Sequence, residues 1–146
     1  MKTRRSDCEH RYCFACGREN PDGLALRFSF SREGEVTAVF TPKKVHQGYD
    51  GLLHGGIVCT LLDAAMTRLL MDRGTKAVTA DLNVRFKKPV PIAEAMVVRA
   101  RIDTHRRRFF QLSAELSVNG VPAATAVGKF VKMKDELSGR EGDIGL

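Results

Sequence analysis

A chain of 146 residues, 43% hydrophobic and 28% charged, has the size and composition of one globular domain, which excludes an intrinsically disordered chain. The longest apolar-rich stretch, Gly55 to Met71, carries Asp63 and Arg68 and is too short and too charged to span a bilayer. The opening Met-Lys-Thr-Arg-Arg-Ser-Asp has no apolar run behind it, so no secretory signal and a cytoplasmic location are expected.

The net charge of +7 is concentrated: Arg85, Lys87, Lys88, Arg99, Arg101, Arg106, Arg107 and Arg108 face only Glu94 and Asp103 within the same segment. Such a basic surface suits a polyanion, either nucleic acid or the phosphates of a nucleotide-like ligand. The plainer alternative is a solvated strand edge, because lysine and arginine also protect sheet edges from aggregation.

In chain order, residues 1–23 form a cysteine-containing N-terminal segment that ends in the turn chemistry of Asn20-Pro21-Asp22-Gly23. Leu24, Leu26, Phe28 and Phe30 then alternate with smaller or polar residues. After Arg32-Glu33-Gly34, Val36, Ala38 and Phe40 do the same, which predicts a hairpin. Pro42 to Leu53 is expected to be a loop, anchored by His46 and Tyr49. The period then becomes helical through Ile57, Leu61, Ala64, Ala65 and Leu69, with Val58, Leu62, Met66 and Leu70 filling other faces, so this helix should be buried. Arg73-Gly74 stops it.

Four more strands follow: one through Val78, Ala80, Leu82, Val84 and Phe86; Met96 to Ile102; Phe110 to Val118; and Val121 to Met133. Asn119-Gly120 is a hairpin turn signal. Residues 134–146 make a polar, glycine-rich tail, expected to fray. Two strands, a helix and four hairpin-linked strands imply an α+β fold in which an antiparallel sheet wraps one helix. One helix covers only one sheet face, so an oligomer is expected.

The segment richest in chemistry is His46-Gln47-Gly48-Tyr49-Asp50-Gly51-Leu52-Leu53-His54-Gly55-Gly56. Two glycines at a helix start let a ligand approach the backbone, where unpaired N–H groups and the helix dipole favour negative charge. That is a ready oxyanion site. Asp63 is the one carboxylate from Gly55 to Met71, and a carboxylate on an apolar helix needs either a partner, such as Thr60 or Thr67, or a task.

The run "GLLHGGIVCTLLDAAM", with Asp63 nine positions after His54, resembles the hotdog-fold acyl-CoA thioesterases of the phenylacetyl-CoA thioesterase-like branch. "CFACGRENPDGL" before the first strand and "VTADLNVRFKKPVP" after the helix extend the resemblance over Cys13 to Met133. It implies a hotdog thioesterase domain at 24–133, paired into homodimers and often homotetramers, that hydrolyses an acyl-CoA substrate without a cofactor. By the same resemblance Asp63 is the catalytic nucleophile or base, Gly55 supplies the N–H that polarises the thioester carbonyl, and His54 orients that turn. Relatives often carry asparagine where this chain has Gly48, and the neighbouring Gln47 is the candidate to take over that role. Thr79 matches a position where relatives place a serine near the site. Strand alternation, however, turns Thr79 away from its own helix, so that it could act only toward another subunit.

Gly56, Arg85, Lys87 and Lys88 are the candidates for binding the substrate and the phosphates of coenzyme A, with Arg106 to Arg108 as further cations. A non-catalytic acyl-CoA-binding or sensing domain is the alternative function, and Asp63 discriminates against it. No nucleic-acid recognition motif accompanies the basic stretch, so neither nucleic acid nor membrane is an expected partner. Cys8, His10, Cys13 and Cys16 compose a tight Cys3His set without the usual second zinc knuckle. Packed, reduced thiols and no metal are expected there.

Overall fold

Alternation along Val36, Ala38 and Phe40 predicts one buried face, and the computed structural model, which describes residues 10–134, places all three side chains in the core. They lie on β2 (Glu35–Phe40), antiparallel to β1 (Phe28–Phe30). The first strand is shorter than its alternation suggests. Leu24 and Leu26 are buried as expected, but their N–H groups donate to the carbonyls of Phe14 (2.8 Å) and Ala15 (2.9 Å) instead of to β2, and Ala25 between them takes a φ of 53°. The N-terminal segment is thereby laced onto the approach to β1. Within it Cys13 and Cys16 pack against the core, and burial, with Cys13 close by, pushes the Cys16 thiol up to about 11. Cys8 and the tail beyond Lys134 lie outside the described residues.

A short 3-10 turn, Lys44–His46, interrupts the loop before helix α1 (Gly55–Asp72). Val58, Leu61, Leu62, Ala64, Ala65, Met66, Leu69 and Leu70 are buried, the valine, leucine and methionine side chains each worth about 1.5–3 kcal/mol when fully withdrawn from water. Burial is nevertheless not complete all round. Gly56, Thr60, Asp63, Thr67 and Met71, spaced at helical intervals, form one stripe that the single chain leaves partly open. Arg73 and Gly74 end the helix, their N–H groups donating to the carbonyls of Leu70 and Met71.

Strands β3 (Ala77–Phe86), β4 (Met96–Arg106), β5 (Phe109–Val118) and β6 (Val121–Lys132) complete one six-stranded antiparallel sheet, ordered β1-β2-β4-β5-β6-β3. It wraps α1, and the expected hotdog architecture holds. Asn119 and Gly120 both take positive φ (51° and 76°), the turn their dipeptide predicts. The β4–β5 turn instead uses Arg107 at φ 58°, which no glycine advertises. Because α1 separates β2 from β3 in sequence, β3 arrives at the far edge and pairs only with β6.

One irregularity matters for function. The β3–β6 register runs Ala77↔Lys132, Val78↔Val131 and Thr79↔Phe130, then resumes at Asp81↔Lys129, with Ala80 bulged out. A single extra residue inverts the alternation. Beyond the bulge Leu82, Val84 and Phe86 share a face with Gly128, Ala126 and Ala124; before it, that face belongs to Thr79 opposite the fully buried Phe130.

Candidate active site

His54 caps α1. Its Nδ1 accepts the Gly56 N–H at 2.8 Å, which leaves the ring proton on Nε2, and its carbonyl accepts from Ile57 (3.0 Å) and Val58 (3.2 Å). A Cβ on Gly56 would sit 3.0 Å from Nδ1, so glycine there is what lets the ring close over its own helix. Three of the first four amides of α1 are thus engaged. Of these four, the Gly55 N–H is the one with no acceptor among the described residues, and it stands at the positive end of the helix dipole. The two glycines divide the work: the second seats the cap, and the first presents the donor. Gly56, a candidate for contacting substrate, therefore has no N–H to offer.

The preceding loop holds this turn in place. His54 N–H donates to the His46 carbonyl (3.0 Å), and Leu53 N–H to that of Val90 (2.8 Å). His46 Nδ1 accepts from the Lys43 N–H, and its ring lies 5.3 Å from that of Phe40, so His46 is an anchor as expected. Burial, together with Lys43, holds its pKa below the ordinary value. Tyr49 anchors nothing with its ring, which is 86% exposed. Gln47 is spent on the loop itself: Nε2 donates to Asp50 Oδ1 (3.1 Å), and Oε1 accepts the Gly51 N–H (3.2 Å).

Asp63 lies two turns along α1, half-buried in the open stripe. Thr60 is not its partner, since that hydroxyl donates to the Gly56 carbonyl. Thr79 is: its Oγ1 donates to Asp63 Oδ1 at 2.6 Å. This corrects the orientation expected for Thr79, and the bulge at Ala80 is the cause. Burial raises the pKa of Asp63 above its ordinary 3.8, and the Thr79 hydrogen bond opposes that shift. An ionised carboxylate with one bonded oxygen and a raised proton affinity can act as a base or as a nucleophile.

Beside Gly55 is a hollow of 290 Å³ lined by Leu53, Val58, Phe86, Lys87, Lys88 and Val90, with the Phe86 ring 3.6 Å from where a Gly55 Cβ would be. Phe86, 55% exposed, is a wall that strand alternation alone did not single out. The basic segment divides in space. Lys87 and Lys88 border this hollow, whereas Arg85 joins Arg99 and Arg101 around a separate depression on the outer face of the sheet. Arg106 to Arg108 sit at the β4–β5 turn.

Comparison with known proteins gives this geometry a setting. Residues 50–120 match the family model of the thioesterase superfamily. An acyl-coenzyme A thioesterase of Bos taurus, THEM4, is 33% identical over 124 residues, 80% of this chain and 50% of that protein. The chain thus spans half the length of that relative. A solved thioesterase superfamily protein superposes with a TM-score of 0.79 at 24% identity, covering 84% of this chain and 61% of its own. A Streptococcus mutans protein solved with acetyl-CoA gives 0.69 at 19% identity, covering 74% and 88%. At those identities the two structures establish the shared fold.

Proposed function

We propose that the chain, whose residues 50–120 match the thioesterase superfamily model, is a member of that superfamily and hydrolyses an acyl-CoA thioester, with water, to a carboxylic acid and free coenzyme A. The observation that carries this reading is that α1 bears both an unengaged Gly55 amide and an Asp63 carboxylate oriented by Thr79, which two facing copies of the chain could bring to one thioester. The thioester oxygen accepts from the Gly55 N–H, which stabilises the oxyanion as the carbonyl carbon becomes tetrahedral. Asp63 attacks that carbon, or takes the proton of the water that does. The C–S bond then breaks and the thiolate leaves as free coenzyme A, taking the proton that Asp63 drew from water or, after direct attack, a proton from solvent. In the latter case water then hydrolyses the acyl-Asp63 anhydride, releasing the carboxylic acid and restoring Asp63. Thr79 is a positioning residue in this reading, acting through the Asp63 carboxylate that it holds.

The active unit in this reading is a homodimer. Among the described residues β3 presents a ten-residue edge with no strand beyond it, a template for pairing with a second β3. Such pairing lies beside the open stripe of α1 that carries Asp63. The working location is the cytoplasm, where the free thiols of Cys13, Cys16 and Cys59 stay reduced.

Thiol release measured across short, medium, long and aromatic acyl-CoAs tests the activity and sizes the pocket. Binding of acyl-CoA without thiol release from any of them would favour the non-catalytic alternative. Lys87→Ala with Lys88→Ala is expected to raise KM more than it lowers kcat, because remote phosphates change little in the transition state. Raised salt should mimic part of the effect. Arg85→Ala, on the other face of the sheet, should raise KM less; an unaltered KM in the lysine variants would make them ordinary solvated surface.

Thr79→Val gives a sharper readout. Losing the O–H that stabilises the carboxylate raises the Asp63 pKa further, so the acid limb of kcat/KM should move to higher pH and activity should recover as pH rises. Thr79→Ser should keep the wild-type limb. A limb that stays in place in Thr79→Val would detach Asp63 from the pH profile.

A further inference from the structure

His10, Cys13 and Cys16 follow one another at three-residue intervals, and the fold turns that spacing into proximity. Their ligand atoms all lie within 4.8 Å of one another, with His10 Nδ1 3.9 Å from Cys16 Sγ. Around a tetrahedral zinc ion, bond lengths of about 2.3 Å to sulfur and about 2.0–2.1 Å to nitrogen set ligand–ligand edges of about 3.6 Å (N to S) and about 3.8 Å (S to S). The His10–Cys16 edge is already close to that length. We propose that His10, Cys13 and Cys16 hold a zinc ion whose tetrahedron a water molecule completes, contrary to the expectation of packed thiols alone.

The backbone around the three residues is built before any ion arrives. Cys13 N–H donates to the His10 carbonyl (3.1 Å) and Gly17 N–H to that of Cys13 (2.8 Å), which closes two successive tight turns. A Cβ on Gly17 would stand 2.6 Å from the carbonyl oxygens of both Arg11 and Cys13, so the Cys13-x-x-Cys16-Gly17 turn accepts only glycine. The residues between the two cysteines, Phe14 and Ala15, hold the Leu24 and Leu26 amides through their carbonyls, and Ala15 is buried. Both thiols are therefore fixed relative to the lead-in of β1, and neither must search for the other.

The donor set selects the ion. Two thiolates and an imidazole are soft and borderline ligands that favour zinc over magnesium or calcium, and two thiolate charges balance its two positive ones. Thiolate ligation also displaces two thiol protons to solvent, so binding should weaken as pH falls. None of the three residues takes part in the hydrolysis proposed above. The ion would cross-link the N-terminal segment where that segment supports β1, and its presence is separable from turnover.

The full chain, purified under reducing conditions and stripped with a chelator, should take up one zinc ion. With cobalt(II) as the probe it should show the thiolate charge-transfer absorption and strong visible bands of a tetrahedral site. Cys13→Ser with Cys16→Ser should abolish the cobalt spectrum and weaken zinc binding by at least about 100-fold, while Cys59→Ser should leave both unchanged. If the double variant fails to fold, alkylation of the wild-type chain decides: zinc should protect Cys13 and Cys16, identified by mass spectrometry, and leave Cys59 reactive. A folded wild-type chain that takes up no zinc, or whose Cys13 and Cys16 alkylate equally with and without it, would overturn the proposal. So would zinc binding that survives in a folded double variant.

Discussion

Asp63→Asn is expected to fold normally and to lose about 10²–10⁴-fold in hydrolysis, the range that a positioned base supplies. The amide keeps the shape of the carboxylate, and its oxygen can still accept the Thr79 hydroxyl, which now sits 2.6 Å away. It is neither a base nor a nucleophile. Stability should be unchanged or slightly higher, and the sign follows from the pKa. Because burial raises the pKa of Asp63 in the fold above 3.8, the charged form is disfavoured there relative to the unfolded chain. The group's contribution to stability is fully present below the unfolded pKa and is lost as pH rises through the folded one. At neutral pH the carboxylate is thus a burden that asparagine removes. A variant that turns over normally would make the Asp63–Thr79 pair ordinary structural polarity. A variant that is inactive because it unfolds would contradict the sign worked out here. Thiol release and thermal unfolding on one preparation separate these outcomes.

Much of this site could be read in the sequence because it depends on local chemistry. The helix start at Gly55, its cap at His54 and the carboxylate of Asp63 amid apolar neighbours each rest on residue type and spacing along one element, and the structure places them at those positions. Thr79 could not be read in this way. Its partner is sixteen residues away, and its direction is set by a bulge at Ala80 that neither glycine nor proline marks. The strand expected from Leu24 begins only at Phe28 for a related reason. Its alternation is genuine and its leucines are buried, but their amides bond the N-terminal segment, and hydrogen-bond partners leave no trace in a hydrophobic pattern. Gln47 is also instructive: beside Gly48 it looked able to reach substrate, yet both ends of its amide serve Asp50 and Gly51. The basic segment is split in space, because Arg85, Arg99 and Arg101 sit on strands around one depression, whereas Lys87 and Lys88 follow the end of β3 and border the hollow beside Gly55.

Gly55→Pro should abolish most activity without disturbing the helix, and its complementation with Asp63→Asn should reveal a shared site. Gly55 is the first residue of α1, the position where proline is best tolerated. His54 before it has φ −61° and ψ 133°, the extended backbone that a residue preceding proline prefers. Proline removes the unengaged N–H, and loss of one oxyanion donor costs about 10²–10³-fold in kcat. Gly55→Ala keeps the N–H, and its Cβ would meet Phe86 at an ordinary 3.6 Å, so it should remain active. Within one chain, however, Gly55 and Asp63 are eight residues apart on a continuous helix, about 12 Å along its axis at 1.5 Å per residue. A group attacking a carbonyl held at Gly55 must come within about 3–3.5 Å of the carbonyl carbon. Asp63 of the same chain cannot do so, even through one water. If both act on one thioester, the carboxylate is the partner subunit's Asp63, and each dimer holds two such sites. Gly55→Pro and Asp63→Asn, each inactive alone, should then complement when unfolded together and refolded. Each heterodimer has one site with neither lesion and one with both. Random assortment should therefore restore about a quarter of wild-type activity when two-fold-related sites act independently. Heterodimers that form but stay inactive would show that the two residues do not meet across the interface.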